Sequence, residues 1–393
     1  MHVAYTDEQR RLRREFRAYL AGLLTPEVRA ATRDRESGPA YRAFVRRMGA
    51  DGWLTPGWPP QFGGRGLDPL AQKILLEELW LAEAPFPFVT VNTIGPALIR
   101  RGTEAQRREL LPRIAAGELN FAVGYSEPQA GTDLAALATR AVRVGDEFVV
   151  NGQKVFTSGA EGADYIWLAA RTDPAAAPHR GISILMVDTR APGFALAPLH
   201  TVGGIRTNLT YYKDVRVPAH MLVGELNGGW QLITEQLNHE RVGLAALAYG
   251  AQGCFDATLE WARGTAAPEG GRVIDRPWVQ LVLAECYALL EAYAVLGNRV
   301  AWELASGQTR AHLAAACKVF STETYIEVLR RLIEVTGAAG LLRHGSPGAV
   351  LAGRLEAEYR RCQINTFGGG ATEVLRDMLA QTALKLPRAG ALR

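Results

Sequence analysis

Four cysteines are all that this chain of 393 residues contains, and no two of them form a CxxC pair. Cys254, Cys286, Cys317 and Cys362 lie far apart, which argues against a clustered zinc site or a small disulfide scaffold. They read as reduced, mostly buried thiols of a cytoplasmic protein. No sign of charge dominates either. Lys plus Arg is 44 against 40 for Asp plus Glu, and the net charge of +4 is too mild to argue for nucleic acid or an anionic membrane as partner. No apolar run is expected to reach the ~18 residues of a membrane span. The start, MHVAYTDEQRRLRREF, lacks the apolar core of a secretory signal. Internal repeats and low-complexity segments are missing too.

What the chain does have is ordinary globular chemistry, with 48% hydrophobic and 21% charged residues and length enough for two or three domains. Its texture changes twice. Residues 1 to about 119 read as helical. TDEQRRLRREFRAYLAGLL has Thr6 as N-cap and apolar residues at helical spacing. DPLAQKILLEELWLAEA opens on Asp68 and Pro69, and TEAQRRELLPRIAAGEL on Thr103. From about 120 to 221 the runs DEFVVNGQKVFTS, YIWLAART, GISILMVD and TYYKDVRVP are short and rich in β-branched and aromatic residues. Asn151-Gly152 predicts a hairpin turn inside the first of them. From about 222 to the end helical texture returns, with GGWQLITEQLNHERVGLAALAYGAQGCFDATLEWAR predicted as one long helix. The fold class is therefore mainly α with a β domain in the middle, and the two helical parts are expected to pack together with the β domain to one side.

Two stretches stand out chemically. FAVGYSEPQAGTDLAAL, residues 121–137, has the small and hydroxyl residues of a loop whose backbone N–H groups can face a ligand. Ser126 and Thr132 are suited to hydrogen-bond a polar ring edge; an N-capped turn after a strand would explain the same pattern. NTFGGGATE, residues 365–373, places three glycines in a helical region, although each costs about 1 kcal/mol relative to Ala inside a helix. Glycines are tolerated in runs where the backbone turns sharply or a ligand comes close.

YSEPQAGTD resembles the flavin loop of the acyl-CoA dehydrogenases, usually TEPxAGSD. VVNGQKVFTSGAEGADYIWLAART, YYKDVRVPAHMLVGELNGGWQLITEQLNHERVG and NTFGGGATEVLRDMLAQTALKLPR resemble three further signatures of that family, in the right order along nearly the whole chain. The resemblance implies an N-terminal helical domain (1–119), a middle β-barrel-like domain (120–221) and a C-terminal four-helix bundle (222–393). It implies FAD, tetrameric assembly, electron-transfer flavoprotein as electron acceptor, and oxidation of an acyl-CoA, or an acyl-carrier-protein thioester, to the 2,3-enoyl product. In such a reaction a carboxylate takes the proton beside the thioester carbonyl, and a hydride leaves the next carbon for the flavin. By the same resemblance Tyr125, Ser126, Gly131 and Thr132 contact the flavin, and Thr132 also borders the substrate. Phe156 stands where the family commonly has a Trp against the ring, and Ser158 where it has a Thr. Alone, Phe156 reads as a buried strand aromatic.

Many members of the family carry the base before the last helix, in a segment like YEGT. Here Gly369 stands where that Glu should be, beside the substrate, and Ala371 where the Thr should be. Glu373 follows at the start of the last helix, with a capping or cofactor-contact role. Other members carry the base on the long helix in a DLER context, and LNHER puts Glu240 at that position with Arg241 bordering the substrate. Read alone, Glu240 is an ordinary helix-surface carboxylate, and His239, about 100° round the helix, is structural. Two departures concern the far end of the cofactor. WARGTAAPEGGRVIDRPW lacks the family's Arg-x-x-Phe-Gly segment, and Glu334 replaces Gln in EVTGAAG. That combination resembles bacterial members acting on steroid or other bulky thioesters, which assemble as α2β2 heterotetramers rather than homotetramers. No metal ligands are expected. A flavin oxidase or monooxygenase of the same fold, and a non-catalytic subunit completing a partner's site, are the competing expectations.

Overall fold

The structure is a computed structural model. It describes residues 5–33, 37–244, 246, 248–306 and 311–387, without the side chains of 238–244, 304 and 311. The N-terminal part is helical: α1 (Asp7–Leu23), α2 (Pro26–Thr32), α3 (Pro39–Ala50), α4 (Pro69–Leu81), a π-helical turn at Thr90–Ile94, α5 (Gly95–Arg101) and α6 (Glu104–Ala115). Two helices start by the same local chemistry. Thr6 and Thr103 each accept a hydrogen bond from the backbone of a Gln three residues on, and that Gln reaches back to the cap's own N–H. Asp68 caps α4 through Ala71 N at 2.7 Å, with Pro69 at the first position.

The middle part is one sheet of β1 (Phe121–Gly124), β2 (Arg140–Val144), β3 (Glu147–Lys154), β4 (Tyr165–Arg171), β5 (Ile182–Asp188), β6 (Phe194–His200), β7 (Arg206–Pro218) and β8 (Leu222–Val223). Its order is β6-β7-β3-β2-β4-β5-β8, with β1 parallel to β4. Both faces of β4 are covered. Trp167 and Ala169 point into a core shared with α5, α6 and the long helix that follows the sheet, while Ile166, Leu168 and Ala170 pack on the other side. Burial on both faces explains why YIWLAA reads as a continuous apolar run.

The predicted Asn151-Gly152 hairpin is not there. β3 runs straight through the pair, with a bulge between Val150 and Gly152, and the hairpin turn falls at Gly145-Asp146 instead. Gly152 has φ +151°, and a Cβ there would lie 2.5 Å from Thr139 Oγ1. The Asn151 side chain bonds Asp214 on β7 in both directions, at 2.9 Å each. Turn chemistry has been used to bend a strand.

The C-terminal part holds α7 (Gly229–Leu244), α8 (Tyr249–Gly264), α9 (Pro277–Ala305), α10 (Ala311–Thr336), α11 (Arg354–Cys362) and α12 (Thr372–Thr382). The single long helix predicted over 229–263 is in fact two, α7 and α8, broken after Leu244. Gly243 and Gly250 bracket the break and weaken helix propensity there. The expectation that no segment is long and apolar enough for a membrane span also needs correction. Pro277–Glu303 reaches a mean hydropathy of 1.6. In the fold it is a bundle helix, packed on α4, α8 and α10 through Val279, Leu283, Cys286 and Leu290. All four cysteines are free and buried. The helical parts meet at α4, where Glu77 and Lys73 form a buried pair, Tyr5 donates to Glu77 at 2.8 Å, and Lys73 donates to Asn298 of α9 at 2.9 Å.

Candidate active site

The loop after β1 is held by one buried carboxylate. Glu127 accepts hydrogen bonds from Ala138 N at 2.7 Å, Thr139 N at 2.9 Å, Gln129 Nε2 at 3.0 Å and Lys154 Nζ at 2.7 Å. Lys154, wholly buried at the end of β3, also donates to Tyr125 O at 3.0 Å. Burial pushes the Lys154 ammonium down to about 8, even with Glu127 opposing. Burial also pulls the Glu127 carboxyl upward, but Lys154 and the surrounding N–H groups outweigh it and leave the group below its ordinary value. Tyr125, Ser126 and the turn through Ala130 are therefore fixed from beneath. Gly131, Thr132 and Asp133 are left exposed on the outer side.

Gly131 is informative. A Cβ there would meet no protein atom within 4 Å, and its φ is not left-handed. Neither packing nor backbone strain asks for glycine, whereas a ligand lying against the backbone would. Beside it, Val155 N donates to Ser126 O at 2.9 Å and so ties the loop to the end of β3. Phe156 follows at φ +59° with its side chain 60% exposed. It is not a buried strand aromatic. A bulky residue in a left-handed conformation is strained, and strain of this kind is held mainly where a site uses it. Thr157 is buried, with Asn208 O accepting from its N–H at 2.9 Å, so Phe156 and Ser158 stand outward on either side of it. Ser158 donates to Thr207 Oγ1 at 3.1 Å.

The same loop reaches α7. Tyr125 Oη donates to Gln236 Oε1 at 2.5 Å, and Trp167 Nε1 donates to the same oxygen at 3.0 Å. Position 240 is one turn further along the face of α7 that carries Gln236. The side chains of Glu240 and Arg241 lie outside the described residues, as does that of His239. The glycine run is held from another helix. Lys318 of α10, fully buried, donates to Gly370 O at 2.6 Å, and Thr322 donates to Asn365 O at 3.4 Å. Gly369 and Gly370 have φ of +69° and +112°, which side chains resist; Gly368 is not left-handed. Phe367 before them is 63% exposed. α10 packs on α7, so α7 is the element approached by both the loop and the glycine-bearing side. Glu373 sits exposed in the first turn of α12 and accepts from Thr372 Oγ1 at 3.3 Å, with no side-chain cap formed. Glu334 is paired with Arg330 one turn away. An open recess lined by Arg46, Gly49, Arg113 and Glu118 contains none of these residues.

The chain aligns with three family models in succession: the N-terminal domain of acyl-CoA dehydrogenases over residues 6–118, the middle domain over 122–215 and the C-terminal domain over 227–384. It is 49% identical to acyl-CoA dehydrogenase FadE26 of Mycobacterium tuberculosis, over 99% of this chain and 100% of that one. The chain belongs to the acyl-CoA dehydrogenase family. Among solved structures of that family it resembles the Tcur3481-Tcur3483 steroid ACAD, with a TM-score of 0.94 and 49% identity over 99% of this chain and 100% of the other. It also resembles a chain of the ChsE4-ChsE5 complex from Mycobacterium tuberculosis, with a TM-score of 0.92 and 51% identity at the same coverage. An acyl-CoA dehydrogenase is an oxidoreductase, and the family consists of flavoproteins. The open space over Gly131 and the exposed ring of Phe156 fit a flat cofactor lying against this loop.

The residues that build the site but escape a motif reading are Glu127, Lys154, Gln236, Trp167 and Lys318. Glu127 lies inside SEPQAGTD and Lys154 inside NGQKV, and the distance between them along the chain hides their pairing. Nothing local marks Gln236 or Lys318.

Proposed function

We infer that this chain carries the base and the flavin-ring site of an acyl-CoA dehydrogenase that converts an acyl thioester to its 2,3-enoyl form. The supporting observation is the Tyr125–Gln236 hydrogen bond, which brings the flavin-type loop onto the face of α7 that carries position 240. In this reading Glu240 takes the proton from the carbon beside the thioester carbonyl. The electron pair of that C–H bond becomes the new double bond as hydrogen leaves the adjacent carbon with its own pair. FAD, when bound, supplies the acceptor for that hydride. Tyr125, Ser126, Gly131, Thr132, Phe156 and Ser158 would hold the ring, and the Glu127–Lys154 pair keeps their backbone in register. Gly369 puts no side chain beside the reacting carbons and leaves room there for a carboxylate from α7 or for a bulky acyl group. Arg241 borders the substrate, and Glu373 lies toward the cofactor. Electron-transfer flavoprotein is the proposed acceptor, and the cytoplasm the proposed location.

The assembly we favour is an α2β2 heterotetramer. The chain lacks the Arg-x-x-Phe-Gly segment, and two solved relatives are two-protein complexes. α9 also presents Leu281, Ala288, Val295 and Trp302 at seven-residue spacing on its exposed side, flanked by Trp278 and Tyr287. Such a stripe suits a second helix from another chain.

The decisive experiment is anaerobic bleaching of the flavin by acyl-CoA in wild type and Glu240→Gln. Loss of at least ~10³-fold in the bleaching rate is expected, since both base and charge are removed. An unchanged rate would remove Glu240 from the mechanism. Bleaching by no thioester at all would favour an oxidase or monooxygenase of this fold. For the assembly, full FAD occupancy in the chain purified alone would contradict the heterotetramer.

A further inference from the structure

The π-helical turn Thr90–Ile94 runs directly into α5. Turns of this type are rare and cluster at functional sites. Three of its side chains are accounted for. Thr90 Oγ1 donates to Asn120 Oδ1 at 2.7 Å and accepts from Phe121 N at 2.9 Å. Val91 and Ile94 fill apolar cores. The other two are not. Thr93, 1% exposed, has no hydrogen-bond partner for its Oγ1 among the described residues, and the buried Asn92 Nδ2 has none either. Asn92 Oδ1 meets Gln72 Nε2 only at 3.5 Å. Buried polar atoms are almost always paired, because leaving them unpaired costs stability. Val at position 93 and Leu at position 92 would avoid that cost.

The location gives these two groups a use. Arg101, at the end of α5, pairs with Glu235 of α7, and Val91 shares a core with Ala246 just beyond α7. The π-turn and α5 therefore run antiparallel to α7 between those anchors. Position 240 lies between them and is level with the start of α5.

The geometry points to an acyl group that carries an oxygen function, a hydroxyl or a ketone, beyond the reacting carbons, with Asn92 Nδ2 and Thr93 Oγ1 as its hydrogen-bond partners. This rests on the reading of α7 as the base-bearing helix. Asn92 Nδ2 donates to either kind of oxygen; Thr93 Oγ1 donates to a ketone and exchanges a bond with a hydroxyl. A plain hydrocarbon chain would leave both groups unpaired, and a site built to bond an oxygen discriminates strongly against the analogue lacking it.

The test is titration calorimetry on the FAD-loaded, assembled enzyme. The probes are acyl-CoA thioesters of graded chain length, each with a terminal hydroxyl or ketone and each paired with its methyl-terminated parent. At the fitting length the oxygenated member should bind ~10-fold or more tightly. Thr93→Val and Asn92→Leu should each remove most of that preference while leaving the parent's Kd unchanged and the melting temperature at or above that of wild type. Thr93→Ser should restore it. Equal Kd values at every length, the result expected if water satisfies the two groups, would overturn the inference, as would a preference that survives both substitutions. The base assignment fails by a different sign, unchanged bleaching in Glu240→Gln, which leaves the Kd ratio intact.

Discussion

Removal of the carboxylate under the flavin-type loop tests how that loop is held. Glu127→Ala strands Thr139 N–H, which is buried, and weakens the hold on Ala138 N–H and on Lys154 Nζ. Gln129 is exposed and can turn to water. The Lys154 ammonium is already pushed down to about 8, so without its partner it can shed its proton rather than stay charged in the core. Breaking one side of a buried pair typically costs 3–5 kcal/mol, and the escape open to Lys154 puts the expected loss at about 3–4 kcal/mol. Lys154→Met is milder, about 2 kcal/mol, because Glu127 keeps its two backbone donors and Tyr125 O loses only the Lys154 donor. The double variant should lose about 2 kcal/mol less than the sum, since neither charge is then left behind. Urea unfolding followed by far-UV dichroism gives the three values, and FAD titration gives the local effect. Tenfold in Kd corresponds to about 1.4 kcal/mol, so FAD affinity in Glu127→Ala should fall at least tenfold. A loss below about 1 kcal/mol for Glu127→Ala, or strict additivity in the double variant, would refute the clamp.

Three further outcomes are expected. Burial, with Glu83 nearby, pushes the Glu358 carboxyl up to about 7 from an ordinary 4.5, against the pull of Arg354 and of Tyr325 and Arg361, which donate to it at 2.7 and 3.0 Å. The folded chain then binds this proton more tightly than the unfolded one, so its stabilising contribution is complete below about pH 4.5 and is lost as pH rises through 7. The ion pair with Arg361 favours the ionised form and keeps the decline below about 3 kcal/mol, and Glu358→Gln should flatten the urea midpoint across that window. Lys318→Met removes the donor to Gly370 O and should cost about 1–3 kcal/mol; dialysis against FAD-free buffer should strip its flavin faster than that of wild type. Leu281→Glu on the exposed stripe of α9 should lower the assembly's mass in light scattering while leaving the helical dichroism intact.

Helix starts were legible because they are local. Thr6, Asp68 and Thr103 satisfy nearby backbone groups, and no distant residue can change that. The β4 and β5 runs were legible for the opposite reason, since burial on both faces left almost no polar positions. Asn151-Gly152 misled because the same pair serves a hairpin or a bulge, and Thr139 and Asp214 decide between them. The membrane-length helix misled in the same way. Its composition does not say that its neighbours are α4, α8 and α10.

By itself, the sequence determined the order of helical, β and helical parts and the residues of the flavin-type loop, through caps, periodicity and the order of its motifs. It also determined that no carboxylate stands at position 369. Only the tertiary structure decided what holds that loop, through Glu127 and Lys154 across 27 positions, and which helix it meets, through Tyr125 and Gln236. It alone made Phe156 an exposed, left-handed aromatic and left Asn92 and Thr93 with buried atoms to satisfy. The division follows from range: caps and periodicity act within a few residues, whereas charge pairing, burial and strain depend on groups that only folding brings together.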